Sequence, residues 1–208
     1  MTPPSEKPSI VVFDLGKVLV DFDFGIAAHK LAARAKHPAD SIKKLIDQSP
    51  LLFRFETGVI HKEQFYKEVC AATGYHGTME EFSVEFGDIF SPIHEMIDLH
   101  ARLRARQVPT YIFSNTNDLA LAHIRKHYPF FSGFTGYIFS FEHGAMKPQA
   151  KLYDVVERVT GRKGTEILYL DDRLDNIEAG RLRGWHTIHH HKPVDSIAII
   201  KARRQRSP

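Results

Sequence analysis

Cysteine is nearly missing from this chain. Its 208 residues include one, Cys70. A lone thiol closes no intramolecular disulfide, so the fold does not rely on an oxidising compartment. Long apolar runs are missing as well. No stretch reaches the roughly 18 residues that a membrane-spanning helix needs, so none is expected. A surplus of one charge is also missing, since 28 Lys and Arg face 25 Asp and Glu for a net +3. Without a basic stripe interleaved with aromatics, a nucleic-acid partner is not expected. Part of the small surplus gathers at Lys201, Arg203, Arg204 and Arg206, where a frayed, solvated terminus is the expectation. The opening MTPPSEKPS is polar and proline-rich, unlike a signal peptide, which predicts a cytoplasmic location. Internal repeats and low-complexity tracts are absent too, which excludes a solenoid.

What is present suits a folded α/β protein. Hydrophobic residues make up 43% and charged residues 25%, enough apolar matter for a core and too little charge for wholesale disorder. Short, uninterrupted apolar runs occur at 10–13, 109–113, 136–140, 167–170 and 185–189. Runs of this kind suit strands buried on both faces of a parallel sheet. Helical patterns at 93–106, 119–128, 151–160 and 176–183 alternate with them, and Gly161 and Gly184 stand at two stopping positions. The alternation predicts a doubly wound, Rossmann-like α/β core. Residues 23–92 read differently, with helical segments at 26–35, 39–47, 62–73 and 79–90 and no buried strand. A helical insertion at 23–92, within a core formed by 1–22 and 93–208, is therefore expected.

The chemistry gathers where the apolar runs end. Asp14 follows the first, Ser114-Asn115 the second and Asp171-Asp172 the fourth, while Lys147 lies just past the third. In an open parallel sheet, ligands bind beyond the carboxyl ends of the strands. Any one of these polar groups is also a good helix cap. Their joint position is what points to a shared crevice. Carboxylates crowded together ionise together only beside a cation, and Mg²⁺ prefers such hard oxygen ligands. An ammonium, a hydroxyl and an amide beside it form a phosphate cradle. Metal, cradle and a free carboxylate together suit phosphoryl transfer.

Four segments carry a family resemblance. They are Val11-Val12-Phe13-Asp14-Leu15-Gly16-Lys17-Val18-Leu19, Phe113-Ser114-Asn115-Thr116-Asn117, Met146-Lys147-Pro148 with Tyr153, and Leu170-Asp171-Asp172 with Asn176. In order and spacing they resemble the motifs of the haloacid dehalogenase superfamily. The subgroup they look like is the small bacterial sugar-phosphate phosphatases of the glucose 1-phosphate type, together with the phosphatase domain of soluble epoxide hydrolases. Phe55-Glu56-Thr57-Gly58-Val59-Ile60, with Glu63 and Phe65, resembles the cap of that subgroup. The resemblance implies a Mg²⁺-dependent phosphatase that works on a small phosphorylated metabolite through an aspartyl-phosphate. It assigns Asp14 as nucleophile and Lys147 as the catalytic cation. Gly16, Ser114, Asn115 and Lys147 would bind phosphate. Asp14, the Gly16 backbone carbonyl, Asp172 and Asp171 (directly or through water) would hold the metal, supported by Asn176. At its ordinary pKa of about 3.9, Asp14 would be ionised at neutral pH. A monomer with no membrane partner is expected.

One residue departs from the pattern. Most phosphatases of the superfamily carry a second aspartate where this chain has Gly16. A glycine keeps the carbonyl and loses the acid–base side chain, a loss on the order of 10²–10⁴ in rate. Asp21, Asp23, Glu56 and His61 are candidate substitutes. Two other functions stay open, a metal-free 2-haloacid dehalogenase and a non-catalytic binder of phosphorylated ligands. The acidic pair Asp171-Asp172 speaks against the first and Gly16 motivates the second. His189-His190-His191 alternate sides on a strand and so do not converge on a metal. His94-Glu95 lacks the second histidine of a zinc-protease motif, Asp98 standing in its place. Cys70 is expected as a small hydrophobe in the insertion. Phe53, Phe55, Phe65 and Phe82 are expected in its core, with Phe53 or Phe55 free to line a pocket.

Overall fold

The alternation within one four-residue strand sets the layering. The computed structural model describes residues 8–205, and β1 (Ile10–Phe13) is buried along its whole length. Successive side chains of a strand point to opposite faces. Val11 and Phe13 therefore enter one core, and Ile10 and Val12 enter another. Next to β1 run β4 (Thr110–Ser114) on one side and β6 (Ile167–Asp171) on the other, with β5 (Gly136–Phe139) and β7 (His186–His189) outside them. The order is β5-β4-β1-β6-β7 and every pairing is parallel.

Helices cover both faces. On the Val11 and Phe13 side lie α6 (His94–Ala105), α7 (Asp118–His127) and α11 (Pro193–Gln205), which contribute Met96, Leu121 and Ile200 to the core. On the Ile10 and Val12 side lie α9 (Ala150–Thr160) and α10 (Leu174–Leu182), which contribute Tyr153, Val156 and Ile177. This is the doubly wound α/β arrangement that the alternating pattern predicts. From β1 the chain moves outward through β4 to β5, then crosses back to β6 and β7. β1 thus stands at the point where the winding reverses, the usual place for a ligand crevice.

After β1 the chain forms β2 (Val20–Phe22), which pairs antiparallel with β3 (Phe90–Pro92). Between these two strands run α1 (Phe24–Ala32), α2 (Ala39–Ile46), α3 (Pro50–Glu56), α4 (Lys62–Thr73) and α5 (Met79–Gly87). They build a core of their own around stacked aromatics. The ring centroids of Phe55 and Phe65 are 4.4 Å apart, and those of Phe65 and Phe86 are 5.2 Å apart. Leu31, Ile42, Ile46 and Phe82 complete it. Phe55, Phe65 and Phe82 thus take the packing role expected of them. Cys70 is partly buried against the same core.

The segment 23–92 holds no buried strand, as expected, but Phe90–Pro92 forms a short, partly exposed one paired with β2. Three partly exposed residues leave no alternation to read. The helix expected at 79–90 consequently stops at Gly87. Helix α3 was not among the expected segments, although Ser49 caps it through the Leu52 N–H and Pro50 opens it. The basic C-terminal segment is not frayed either. Lys201, Arg203 and Arg204 belong to α11, whose Ile200 is buried in the main core, while Arg206 lies outside the described residues. No helix among the described residues is long and apolar enough to cross a membrane.

The helical insertion depends on its own aromatic stack. Phe65→Ala removes a ring that is fully buried and should cost about 3–5 kcal/mol. The denaturant midpoint of the variant against that of the unaltered protein measures this, and an unchanged midpoint would show that the stack carries no stability.

Candidate active site

Strand ends deliver the reactive groups. Asp14 leaves β1 directly, Ser114 ends β4 and Asp171 ends β6, while Lys147 arrives from the loop after α8 (Ser140–His143). Asp14, Ser114 and Lys147 border one cleft of about 530 Å³ together with Asp172, Gly16, Asn115 and Asn176, while Asp171 is fully buried against Lys147. The opposite wall of the cleft comes from the insertion and includes Asp23, Asp47, Ser49, Leu52, Phe53 and Glu56. Phe53 is therefore the pocket-lining member of the Phe53 and Phe55 pair, since Phe55 packs inside the insertion.

Lys147 is the hub. Its ammonium donates to Asp14 Oδ1 at 2.9 Å, to Asp171 Oδ2 at 2.6 Å and to the Phe113 carbonyl at 2.9 Å. All three N–H bonds are thereby used. Asn115 fixes the lysine's backbone, accepting from Lys147 N at 2.8 Å and donating to Lys147 O at 3.1 Å. Asp171 is more heavily bound still. Its second oxygen accepts from Arg173 N at 2.8 Å and Asn176 Nδ2 at 2.9 Å, and Tyr169 OH donates to the first. Tyr153 OH in turn donates to Asn176 O at 2.8 Å. Tyr169 was absent from the sequence-derived site. Its position two residues before Asp171, on the same strand face, was the signal available.

The charges do not balance. Asp14, Asp171 and Asp172 bring one oxygen each within 4.8 Å of one another, against a single ammonium. Burial pushes Asp14 well above the ordinary carboxylate range; Lys147 opposes the rise, while Asp171 and Asp172 add to it. The expectation of an ordinary Asp14 pKa is thus corrected by its burial among like charges. Asp171 is held below the usual range: burial would raise it, but the attraction of Lys147 and its hydrogen bonds win. Asp172 is pushed up by burial and by Asp171. Burial also works against Lys147, but Asp14 and Asp171 hold its ammonium above the usual value. One further buried oxygen, Asn176 Oδ1, lacks a hydrogen-bond partner. Surplus negative charge and an orphaned oxygen beside clustered carboxylates form a donor set that fits a hard divalent cation such as Mg²⁺.

Gly16 is a steric necessity. A Cβ built there would stand 2.7 Å from Phe22 Cε1. The Phe22 ring is held by Phe24 and Phe90, at centroid distances of 5.8 and 6.1 Å, and Lys17 lies over its face at 4.8 Å. Phe22 therefore occupies the space that a side chain at position 16 would need. Nothing in the spacing of the sequence shows this contact.

The four candidate substitutes separate. Asp21 is exposed and paired with Lys17. His61 stands at the head of α4, outside the cleft. Asp23 lines the cleft but caps α1 through Gly25 N at 2.7 Å. Glu56 lines the cleft and hydrogen-bonds Asn117, and burial pushes its carboxyl up to about 7 with a further push from Asp47. The histidine trio divides as expected of a strand. The rings of His189 and His191 lie 3.9 Å apart, while His190 Nδ1 meets Ser196 Oγ at 2.8 Å. His189 Nε2 also lies 2.9 Å from the Asp172 carbonyl, bracing the loop that carries this carboxylate.

A family model described as haloacid dehalogenase-like hydrolase matches residues 8–184. A D-ribitol-5-phosphate phosphatase of Bacteroides thetaiotaomicron is 26% identical over 186 residues, covering 85% of this chain and 89% of that protein. A haloacid dehalogenase family enzyme of the same organism, in complex with magnesium and inorganic phosphate, superposes with a TM-score of 0.78. It is 19% identical, with 88% of this chain and 94% of that chain covered. A haloacid dehalogenase-like hydrolase of Porphyromonas gingivalis gives a TM-score of 0.79 at 22% identity, covering 98% of this chain and all of that one. At these identities the structural likeness speaks for the fold.

Two outcomes are expected. Gly16→Ala forces the packed Phe22 ring aside and should cost about 1–3 kcal/mol, the usual penalty of overpacking. Pairing it with the smaller Phe22→Leu should restore part of the loss. Additive losses measured by denaturation in the double variant would refute the contact. The second outcome concerns pH. The stability that Glu56 lends as a neutral acid is whole below its unfolded value of about 4.3 and gone once pH has risen through about 7. Relative to Glu56→Gln, the unaltered protein should lose stability between pH 5 and pH 8. Parallel urea-stability profiles would contradict the burial of this carboxyl.

Proposed function

The chain belongs to the haloacid dehalogenase-like hydrolases, and from that premise we propose that it is a Mg²⁺-dependent phosphatase of a small phosphomonoester, a sugar or polyol phosphate foremost. The carrying observation is the convergence of Asp14, Ser114, Lys147 and Asp172 on one cleft from four separate segments, with Asp171 paired to Lys147 behind them. The name of the D-ribitol-5-phosphate phosphatase relative supports the polar, polyhydroxylated substrate. In this reading residues 23–92 form a cap over a core of 1–22 and 93–208, and the cap wall of the cleft selects the alcohol.

Asp14 attacks phosphorus in line with the leaving oxygen, forming an aspartyl-phosphate that water then cleaves. Its Oδ1 also accepts from Leu15 N at 2.6 Å, which fixes the carboxylate plane. Lys147 pulls electron density from the phosphoryl oxygens, and its bond to Asp14 is the one of its three that becomes free for them once Asp14 is esterified. Ser114 Oγ, now donating to its neighbour's carbonyl at a long 3.2 Å, turns readily to a phosphate oxygen. Asn115 has a second amide hydrogen for the same task while its other contacts hold the lysine loop. Mg²⁺ would be held by Asp14, the Gly16 carbonyl, Asp172 and Asp171 (directly or through water). When bound it supplies charge neutralisation that lets the nucleophile and a phosphate dianion approach. Asn176 keeps Asp171 oriented through its 2.9 Å hydrogen bond. Asp171 and Asp172 are the feature that separates this reading from a metal-free dehalogenase.

Phosphate release from a panel of sugar and polyol phosphates, with Mg²⁺ and after chelation, is the direct test. Activity is expected to vanish on chelation and in Asp14→Asn. Equal activity of Asp14→Asn, or chloride release from a 2-haloacid without Mg²⁺, would overturn the proposal.

A further inference from the structure

A sugar or polyol alkoxide is a poor leaving group, and Gly16 offers it no proton. We propose that Glu56, reaching the cleft from the opposite wall, is the general acid that protonates the leaving oxygen and then the general base that activates water. This rests on the phosphatase reading above. Glu56 ends α3 and borders two spaces at once. One is the main cleft with Asp14, Lys147 and Asp172. The other is a void of about 60 Å³ bounded by Gly16, Phe22, Ser114, Asn115 and Asn117. The void borders Gly16 beside the Phe22 ring. It also has room for a water, which needs roughly 10–15 Å³.

Two contacts aim the carboxyl. Asn117 Oδ1 accepts from Ala120 N at 2.9 Å, so its amide nitrogen is the group that donates to Glu56. Just beyond, Gly58 is pressed on the core. Its φ is +69°, and a Cβ there would stand 2.2 Å from the Phe141 carbonyl oxygen. The end of α3 is thereby docked against the core at Glu56 and just after it. Of the other acids lining the cleft, Asp14 is the nucleophile, Asp172 would hold the metal, Asp23 caps α1 and Asp47 ends α2. The groups that bear on the charge of Glu56 are Asn117 at the head of α7 and Asp47 at the end of α2. Asp14, Asp23, Asp172, Lys17, Lys147 and Arg173 share the cleft wall. Burial brings the carboxyl to about 7, so both protonation states exist near neutral pH, as acid–base work requires.

The steps balance. Asp14 Oδ forms a bond to phosphorus as the P–O bond to the alcohol breaks, and the Glu56 proton goes to the departing oxygen. Glu56 carboxylate then takes a proton from water, whose oxygen attacks phosphorus. The phosphorus–Asp14 bond breaks, releasing inorganic phosphate and restoring both carboxyls.

The test compares leaving groups with Mg²⁺ present, using a polyol phosphate and 4-nitrophenyl phosphate, whose phenolate needs no proton. In Glu56→Gln, kcat/KM for the polyol phosphate should fall by about 10²–10⁴, while kcat/KM for the aryl ester changes little. Its kcat falls, and a burst of about one nitrophenolate per enzyme precedes slow turnover, with phosphoenzyme trapped on acid quench. Equal losses for both esters, or none, would overturn the role. A merely structural glutamate would affect both alike. If the variant does not fold, the unaltered enzyme still decides: kcat/KM should depend weakly on leaving-group pKa, and a steep dependence contradicts a general acid. Failure of the phosphatase reading is distinguishable, since the unaltered protein would then release no phosphate from either ester.

Discussion

Everything at the cleft depends on one buried ammonium. Lys147 holds Asp14 and Asp171 at 2.9 and 2.6 Å in a site nearly closed to water, where an unpaired charge would be very costly. The lysine cannot balance three carboxylates. The remaining negative charge favours a cation, and burial among like charges holds Asp14 well above the ordinary carboxylate range. The hydrogen bonds to Asp171 from Tyr169, Asn176 and Arg173 offset part of that repulsion without involving Asp14.

The division of labour between the two halves of the chain follows from this. The sheet supplies rigid strand ends, because β1 is paired on both sides and buried on both faces. The helical insertion supplies the opposite wall of the cleft and packs around its own aromatic stack. Phe22 and Gly58 tie the two together. One fills the space beside Gly16 and the other lets the end of α3 approach the Phe141 carbonyl.

Much of this was legible in the residues. β1 and α4 were read at their observed limits, and the parallel core followed from apolar runs alternating with helical patterns. Asp14, Ser114, Lys147 and Asp171 were legible as strand-end chemistry because buried parallel strands leave their polar residues at the carboxyl edge. Less legible was anything short. The three-residue strands β2 and β3 and the seven-residue α3 offer too few residues for a period to emerge. Helix α11 was masked by its basic composition, which suggested solvent until Ile200 proved to be buried.

The sequence by itself determined the element pattern, the identity of the reactive groups and their place at the strand ends, because hydrophobic periodicity is local and carries over directly into strands and helices. The tertiary structure alone decided how those groups act on one another. The pairing of Lys147 with two carboxylates, the rise of Asp14, the exclusion of a side chain at Gly16 by Phe22 and the entry of Glu56 all involve residues brought together by folding. Charge balance and steric exclusion act over a few ångströms of space, a distance the linear order of residues does not record.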